Sequence, residues 1–305
     1  MNIKYLHNQE IDYKKWNWCI NKAFNSIIYT YSWYLDIVSP GWDALVADDY
    51  RIVMPLTHKT KYGLKLLMQP ILTQQLGVFS INNLNPAIVN EFIKKACEKF
   101  RYININLNKL NNFKLEGFQV NKRVTYELDL ILPYAKLKNN YSSNHKRNIN
   151  KAIKNKISVS SNVNTNQLIT LVKNNLENKV SQLNEDRYND IRKIISYAIR
   201  YQIGEIYGAY NPDNELLAAA FFIVHPGKCI FLFGASAKEG KEKSAMFAIF
   251  DHFIEKYSEK ILILDFEGSE LQGLARFYSG FGAKPFHYLN IKKNTLPWYI
   301  RYFKK

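Results

Sequence analysis

LILDFEGSELQGLARFYSGFGA, residues 262–283, reads as a buried strand, a loop and a short glycine-stopped helix. In the strand, Leu262, Leu264 and Phe266 alternate with Ile263, Asp265 and Glu267. A period of two sends alternate side chains to opposite faces, so both carboxylates are expected on one face at the strand's end. In the helix, Leu271, Leu274, Ala275, Tyr278 and Phe281 fall on one predicted apolar stripe. Gly282 stands where a helix end commonly adopts a left-handed turn. Acidic groups leaving a buried strand for a loop are where mixed α/β folds tend to place chemistry.

Working outward, the preceding helix carries Met246, Ile249, Phe250, Phe253, Ile254 and Tyr257 on one side. Before it come EIYGAY and LLAAAFFIV, a hairpin around Asn211-Pro212-Asp213-Asn214, and then CIFLFGAS after Gly227. Two amphipathic helices are predicted at about 165–178 and 184–202. The segment YSSNHKRNINKAIKNK reads as a basic helix from about His145, capped by Ser143 or Asn144, with a thin stripe of Ile149, Ala152 and Ile153. From Lys136 to Ile157 there are seven Lys/Arg and no acidic residue. Earlier, residues 11–38 read as two helices. WDALVADD, RIVMPLTHKT and LKLLMQPIL read as strands, Pro86 opens a helix, and YININLN and VTYELDLIL are further strands. FHYLNIKK is the final strand. Helix-and-hairpin rhythm recurs in both halves without a sequence repeat.

With 305 residues, one large or two medium domains are expected, and a composition 47% hydrophobic and 14% aromatic supports a packed core. Lys+Arg 42 against Asp+Glu 26 gives a formal charge of +16, which favours an anionic partner. Lys, Asn, Ile and Tyr are over-used throughout, so codon bias is an alternative source of that charge. Three scattered cysteines, Cys19, Cys97 and Cys229, fit reduced thiols. The first residues, MNIKYLHNQEIDYKK, lack a signal-peptide core, and the longest apolar run, at 216–224, suits a strand rather than a membrane span. The expectation is a cytoplasmic protein.

The element order of the second half resembles the GNAT acyltransferase fold. YSSNHKRNINKAIKN and LDFEGSELQGLARFYSGFGAKP are similar to FemABX-type relatives, which attach amino acids or other acyl groups to amines. In that group a basic S-x-N-x-R-R-x-I-x-K-A-like helix begins the second domain, and here it stands as Ser142 to Lys154. A strand and a helix ending in Phe-Gly-Ala also recur, here Phe281-Gly282-Ala283. The resemblance is best over about 141–290. It implies an α+β fold of tandem GNAT-like domains, each a mostly antiparallel sheet flanked by helices, divided at 1–135 and 136–305. It further implies acyl or aminoacyl transfer to an amine, with acyl-CoA or aminoacyl-tRNA as co-substrate and no tightly bound cofactor. A tRNA contact and a cell-envelope precursor as acceptor are within that expectation.

Ordinary GNAT enzymes carry a glycine loop whose backbone N–H groups cradle the CoA pyrophosphate. The matching stretch here runs from Lys238 to Ser244, with Lys241 and Lys243 where glycines are expected. Either the cradle is absent, or Lys238, Lys241, Lys243 and Ser244 hold phosphates, or the stretch is a solvated turn.

Acyl transfer needs an amine deprotonated, an oxyanion stabilised and a leaving group protonated. Asp265 and Glu267 are candidates for the first step, because paired carboxylates raise at least one pKa. The alternative is that one pairs with Arg276 or caps the helix. Tyr278 matches the tyrosine that many GNAT enzymes use as general acid, or it packs in the core. Gly268 and Ser269 are candidate oxyanion donors, and Lys146, Arg147 and Arg276 candidate phosphate ligands. The six histidines make no metal-ligand spacing, no G-x-S-x-G is present, and Gly234 to Lys241 has the wrong glycine spacing for a P-loop. Two other readings stand beside acyl transfer: a basic module binding nucleic acid or an anionic polymer, and a relative that keeps the fold without the reaction.

Overall fold

The structure, a computed structural model, describes residues 1–61, 63–161, 163–176, 185–268 and 271–297. The chain divides into two compact units, 1–124 with 286–305, and 125–285. The division lies earlier than the expected boundary between 135 and 136, and the segment from Phe286 belongs with the first unit.

The first unit begins β1 (Ile3–Leu6), α1 (Tyr13–Lys22), α2 (Ser32–Val38), β2 (Asp43–Ala47) and β3 (Ile52–Leu56). It continues β4 (His58–Lys61), β5 (Leu64–Met68), β6 (Phe79–Ser80), α3 (Pro86–Lys99) and β7 (Tyr102–Asn106). Strands β1-β2-β3-β6 form one antiparallel sheet in that order. The β2–β3 turn places Asp48, Asp49 and Tyr50 at positive φ, as short hairpin turns require. The stretch RIVMPLTHKT, expected as one strand, is two: β3 and β4 belong to different sheets. Thr57, between them, turns its hydroxyl onto the Met68 carbonyl (2.8 Å). Helix α3 starts where Asn85 caps the Ile88 N–H and Pro86 fills the first turn. It buries Val89, Phe92, Ile93 and Ala96 against Leu45, Met54, Leu67 and Ile103.

A long strand, β8 (Gln119–Asp129), leads into the second unit, which holds α4 (Tyr134–Asn139), α5 (Ser143–Lys154), β9 (Ser158–Ser160), α6 (Thr165–Leu176) and α7 (Glu185–Arg200). There follow β10 (Gly204–Tyr210), β11 (Leu216–His225), β12 (Lys228–Ser236), α8 (Lys238–Glu242), α9 (Ala245–Tyr257), β13 (Ile263–Asp265) and α10 (Gln272–Ser279). The chain then runs into β14 (Lys284–Asn294), which pairs antiparallel with β7. Neither β1, β6 nor β9 was expected from the sequence; all three are short, and β1 and β9 carry the mixed polarity of outer strands.

The sheet of the second unit runs β8-β13-β12-β11-β10-β9. Every pairing is antiparallel except β12 with β13, which α8 and α9 connect as a crossover. That parallel pairing covers only Lys228–Ile230 against Ile263–Asp265, while β12 runs on to Ser236. The two strands therefore part after Asp265, and the chain that leaves there carries the candidate site. Beneath it, Phe250 stacks with Phe266 at 5.2 Å and meets Phe222, Phe231, Phe277 and Phe281. This ring cluster makes the strand-to-helix stretch part of the core. No helix among the described residues is long and apolar enough to cross a membrane.

Candidate functional site

The predicted strand is shorter than its alternation implied, and only the first of the two carboxylates lies on it. The strand ends at Asp265, which is only 1% exposed. Lys228, at the start of β12, places its Nζ 2.7 Å from Asp265 Oδ2 and 3.0 Å from Glu127 Oε1. Glu127 is the antiparallel partner of Asp265 across β8 and is itself buried. Thr125 Oγ1 donates to Asp265 Oδ1 at 2.6 Å, and the Glu267 backbone N–H donates to the same oxygen at 2.9 Å. Burial opposes the charge on Lys228, but the Asp265 and Glu127 carboxylates outweigh it and raise its pKa. Buried charges are tolerated when paired and hydrogen-bonded in this way. Asp265 therefore has its hydrogen-bonding capacity taken up inside the fold.

Glu267 lies beyond the strand, where β12 and β13 have parted. Its φ is +58°, the left-handed region that a non-glycine residue rarely occupies. Its Oε1 is buried and has no hydrogen-bond partner among the described residues. Burial alone pushes its pKa up from 4.5 to about 8. The cause is desolvation rather than the expected repulsion between two acids. Lys228 lies between Asp265 and Glu127 and offsets part of their charge.

Tyr278, on α10, is buried, with its ring 5.2 Å from Phe266 and 6.1 Å from Tyr126. Burial and then the Glu267 charge raise its pKa, so its hydroxyl keeps its proton. The structure thus brings Glu267 and Tyr278 together and leaves Asp265 as a structural neighbour. The predicted stripe of α10 is corrected as well. Leu271 is 68% exposed and Leu274 41% exposed, while Phe277, Tyr278 and Phe281 face the core. The helix is shorter than the pattern implied and starts at Gln272, so Leu271 lies outside it. Gly282 adopts φ +88°, as expected for the turn that ends such a helix.

The two quoted sequence motifs meet through His145. Helix α5 starts earlier than expected, with Ser142 as its cap. His145 is buried rather than part of the basic face. Its Nε2 donates to the Phe277 carbonyl at 2.8 Å, and its Nδ1 lies 3.0 Å from the Ser142 hydroxyl, which donates to it. Burial lowers its pKa, in keeping with a neutral ring. The Ser142 N–H donates to the Gly280 carbonyl at 2.9 Å. These bonds satisfy carbonyls at the end of α10 that the helix leaves open. Gly280 is obligatory here, since a Cβ would lie 1.9 Å from the His145 ring. On the rest of α5, Ile149 and Ala152 are buried but Ile153 is exposed.

The remaining candidates lie elsewhere. Lys146 donates to the Asn139 carbonyl at 2.9 Å, and Arg147 to Asn144 Oδ1 at 2.8 Å, both on the exposed face. Arg276 is exposed and turns back to the Gln272 carbonyl at 3.4 Å; it does not pair with Asp265. Ser269 lies outside the described residues. Lys238 to Glu242 form α8, not an open turn. There Lys243 pairs with Glu239 at 2.6 Å, and Lys241 donates to Asn175 Oδ1 at 3.0 Å. Ser244 is buried at φ +61° and donates to Asn148 Oδ1 at 2.8 Å. Gly240 abuts β11, where a Cβ would lie 2.2 Å from the Leu217 carbonyl oxygen, so it serves close packing. No group of His, Cys, Asp and Glu among the described residues is arranged to hold a metal ion.

Sequence reasoning missed Lys228, Glu127 and Thr125. A lysine opening an otherwise apolar strand, KCIFLFGAS, was the one available signal for the first.

No family profile matches the chain, and no curated protein is similar to it in sequence. Solved structures are similar in fold. FemX superposes with a TM-score of 0.70 at 14% identity, covering 99% of each chain. L-PGS from Bacillus licheniformis gives a TM-score of 0.55 at 10% identity, covering 96% of this chain and 94% of that one. A conserved protein of unknown function from Bacteroides thetaiotaomicron gives 0.53 at 10% identity, covering 92% and 97%. Coverage of both chains end to end, with the parting strands and the helix that follows, shows that this chain has the FemABX-like tandem GNAT fold.

Proposed function

We propose that the protein is an N-acyltransferase that moves an acyl or aminoacyl group to an amine. The observation that carries this reading is the half-buried Glu267, with its Oε1 enclosed and its pKa raised to about 8, beside the protonated Tyr278 where β12 and β13 part. A carboxylate with that pKa is matched to removing a proton from an ammonium near neutral pH. The neutral amine then attacks the carbonyl carbon of the donor, and the C–N bond forms as the bond to the leaving thiolate or ribose oxygen breaks. Tyr278 supplies the proton that the leaving group takes up and regains one from the attacking nitrogen, whose second proton leaves as the tetrahedral intermediate becomes the amide. Glu267 holds the proton that the amine gave up and returns it to solvent.

The donor in this reading is acyl-CoA or aminoacyl-tRNA. Support for the latter is the exposed basic face of α5, with Arg147, Lys151 and Lys154, and the helical form of the Lys238–Glu242 segment. Proposed contacts for donor phosphates are therefore Lys146 and Arg147, with Arg276. The fold shared with FemX and L-PGS is compatible with either donor.

The test is transfer from radiolabelled acetyl-CoA and from a mixture of charged tRNAs to a panel of amines, with Glu267→Gln and Tyr278→Phe alongside. Loss of transfer in Glu267→Gln, with donor binding retained, is expected. Wild-type protein that binds neither donor, or transfer that is unaffected by Glu267→Gln, would overturn the reading.

A further inference from the structure

We propose that Asp265 is a positioning residue: locked in place by Lys228 and Thr125, it holds the Glu267 backbone in the left-handed conformation that keeps the Glu267 carboxyl in the site. This rests on the reading of Glu267 as the proton acceptor, and it deepens that reading.

The geometry sets the roles apart. Asp265 Oδ2 is taken by the Lys228 ammonium at 2.7 Å. Oδ1 receives two donors, the Thr125 hydroxyl at 2.6 Å and the Glu267 N–H at 2.9 Å. A carboxylate so placed accepts a short-range turn bond from the residue two positions on, as Asp commonly does in turns. That bond is charge-assisted, hence stronger than a neutral one. It opposes the cost of a left-handed glutamate. Without it the chain after Phe266 is free to relax to an extended φ, which would swing the carboxyl of Glu267 away.

Phe266 supplies the other half of the clamp. Its ring is buried among Phe250, Phe281 and Tyr278, and its N–H donates to the Tyr126 carbonyl at 2.9 Å. The backbone is thus held on both sides of the residue that must turn. Among the described residues, the charged and titratable groups around Glu267 include Asp265 before it, Tyr278 on α10 and the Lys228–Glu127 pair beyond Asp265. Lys228 has a second task in this arrangement. By neutralising Asp265 it keeps a negative charge from adding to the desolvation that already disfavours ionised Glu267.

The experiment is a carbon-13 NMR titration of the Glu267 side-chain carboxyl in the full chain, in wild type, Thr125→Val, Asp265→Asn and Lys228→Met. Exchange of the Glu267 amide proton is read in the same samples. Thr125→Val removes one hydrogen bond and keeps the shape, so it remains informative if the charge variants fail to fold. The proposal expects the wild-type midpoint near 8. It expects a fall of about one pH unit or more in folded Thr125→Val and Asp265→Asn, as the carboxyl reaches water, with faster exchange of the Glu267 amide. In Lys228→Met, where the lost cation acts in the opposite direction on the midpoint, the faster amide exchange is the expected readout. Circular dichroism and thermal melting confirm that each variant is folded. A midpoint unchanged in folded Thr125→Val and Asp265→Asn overturns the proposal, as does an ordinary midpoint in wild type. Neither readout requires transfer activity. A wild-type protein inactive with every donor sinks the proposed reaction and leaves this inference to stand or fall by the titration. Where transfer is measurable, Thr125→Val and Asp265→Asn are expected to lower kcat with little change in KM, and to shift the pH profile to lower pH.

Discussion

Replacing Glu267 with Gln is expected to change how stability depends on pH. In the folded protein burial holds the Glu267 pKa at about 8, against an ordinary value of 4.5. Between those two values the folded state keeps a proton that the unfolded state has released. Raising the pH through that window therefore favours unfolding. Each pH unit contributes about 1.4 kcal/mol, so the whole interval is on the order of 5 kcal/mol. Glutamine cannot ionise and carries no such penalty. The assay is urea denaturation of wild type and Glu267→Gln at matched pH values from about 4 to about 9. The stability of the variant relative to wild type should grow across that range by an amount on that order, and then level off. Other titrating groups, such as the buried His145 and His225, are common to both proteins and cancel in the difference. Parallel curves for the two proteins would refute the claim that Glu267 is held protonated by burial. The same titration sets activity moving the opposite way: transfer that depends on ionised Glu267 should rise with pH up to about 8 while stability falls.

Gly280→Ala should destabilise the second unit by about 1 to 3 kcal/mol, because its Cβ would lie 1.9 Å from the His145 ring. The double variant with His145→Ala should recover part of that loss, and a denaturation double-mutant cycle measures the coupling. Lys228→Ala would leave Glu127 and Asp265 buried without their cation, a cost of about 3 to 5 kcal/mol that chemical denaturation would report. Neutralising Arg147, Lys151 and Lys154 together should weaken binding to bulk tRNA and flatten its salt dependence, by about one logarithmic slope unit per lost phosphate contact. An unchanged salt slope would exclude that face of α5 as the anion contact. Tyr278→Phe should keep the fold, since the ring packing is retained, and lower kcat more than it changes KM.

Much of the second unit was legible because its apolar residues recur at clear periods. The hairpin at Asn211–Asn214, the α9 stripe and the Gly282 turn all follow from local rules, and the structure has each of them. The long strand-forming stretch of residues 51–60 was misread as one element, since hydrophobic period does not show where a chain changes sheets. The α10 stripe failed for a related reason. Leu271 and Leu274 match the helical period, but the helix begins too late, and its orientation is set by Phe277 and Phe281 meeting Phe247 and His145.

The candidate site divides in the same way. Glu267 and Tyr278 were visible as residue types at the end of a buried strand and on the helix that follows. The separation of roles between Asp265 and Glu267 was not. Lys228 lies far from Asp265 in sequence and reaches it only through the parallel pairing of β12 with β13.

Local sequence determined the elements, their order and the acidic end of the strand, because periodicity and turn chemistry act over a few residues. Only the tertiary structure decided which acid is neutralised and which is left in the site. That choice depends on burial and on charges brought together from three strands. Desolvation and long-range pairing are properties of the packed chain, and they made Asp265 a buried support and Glu267 the group with a pKa near 8.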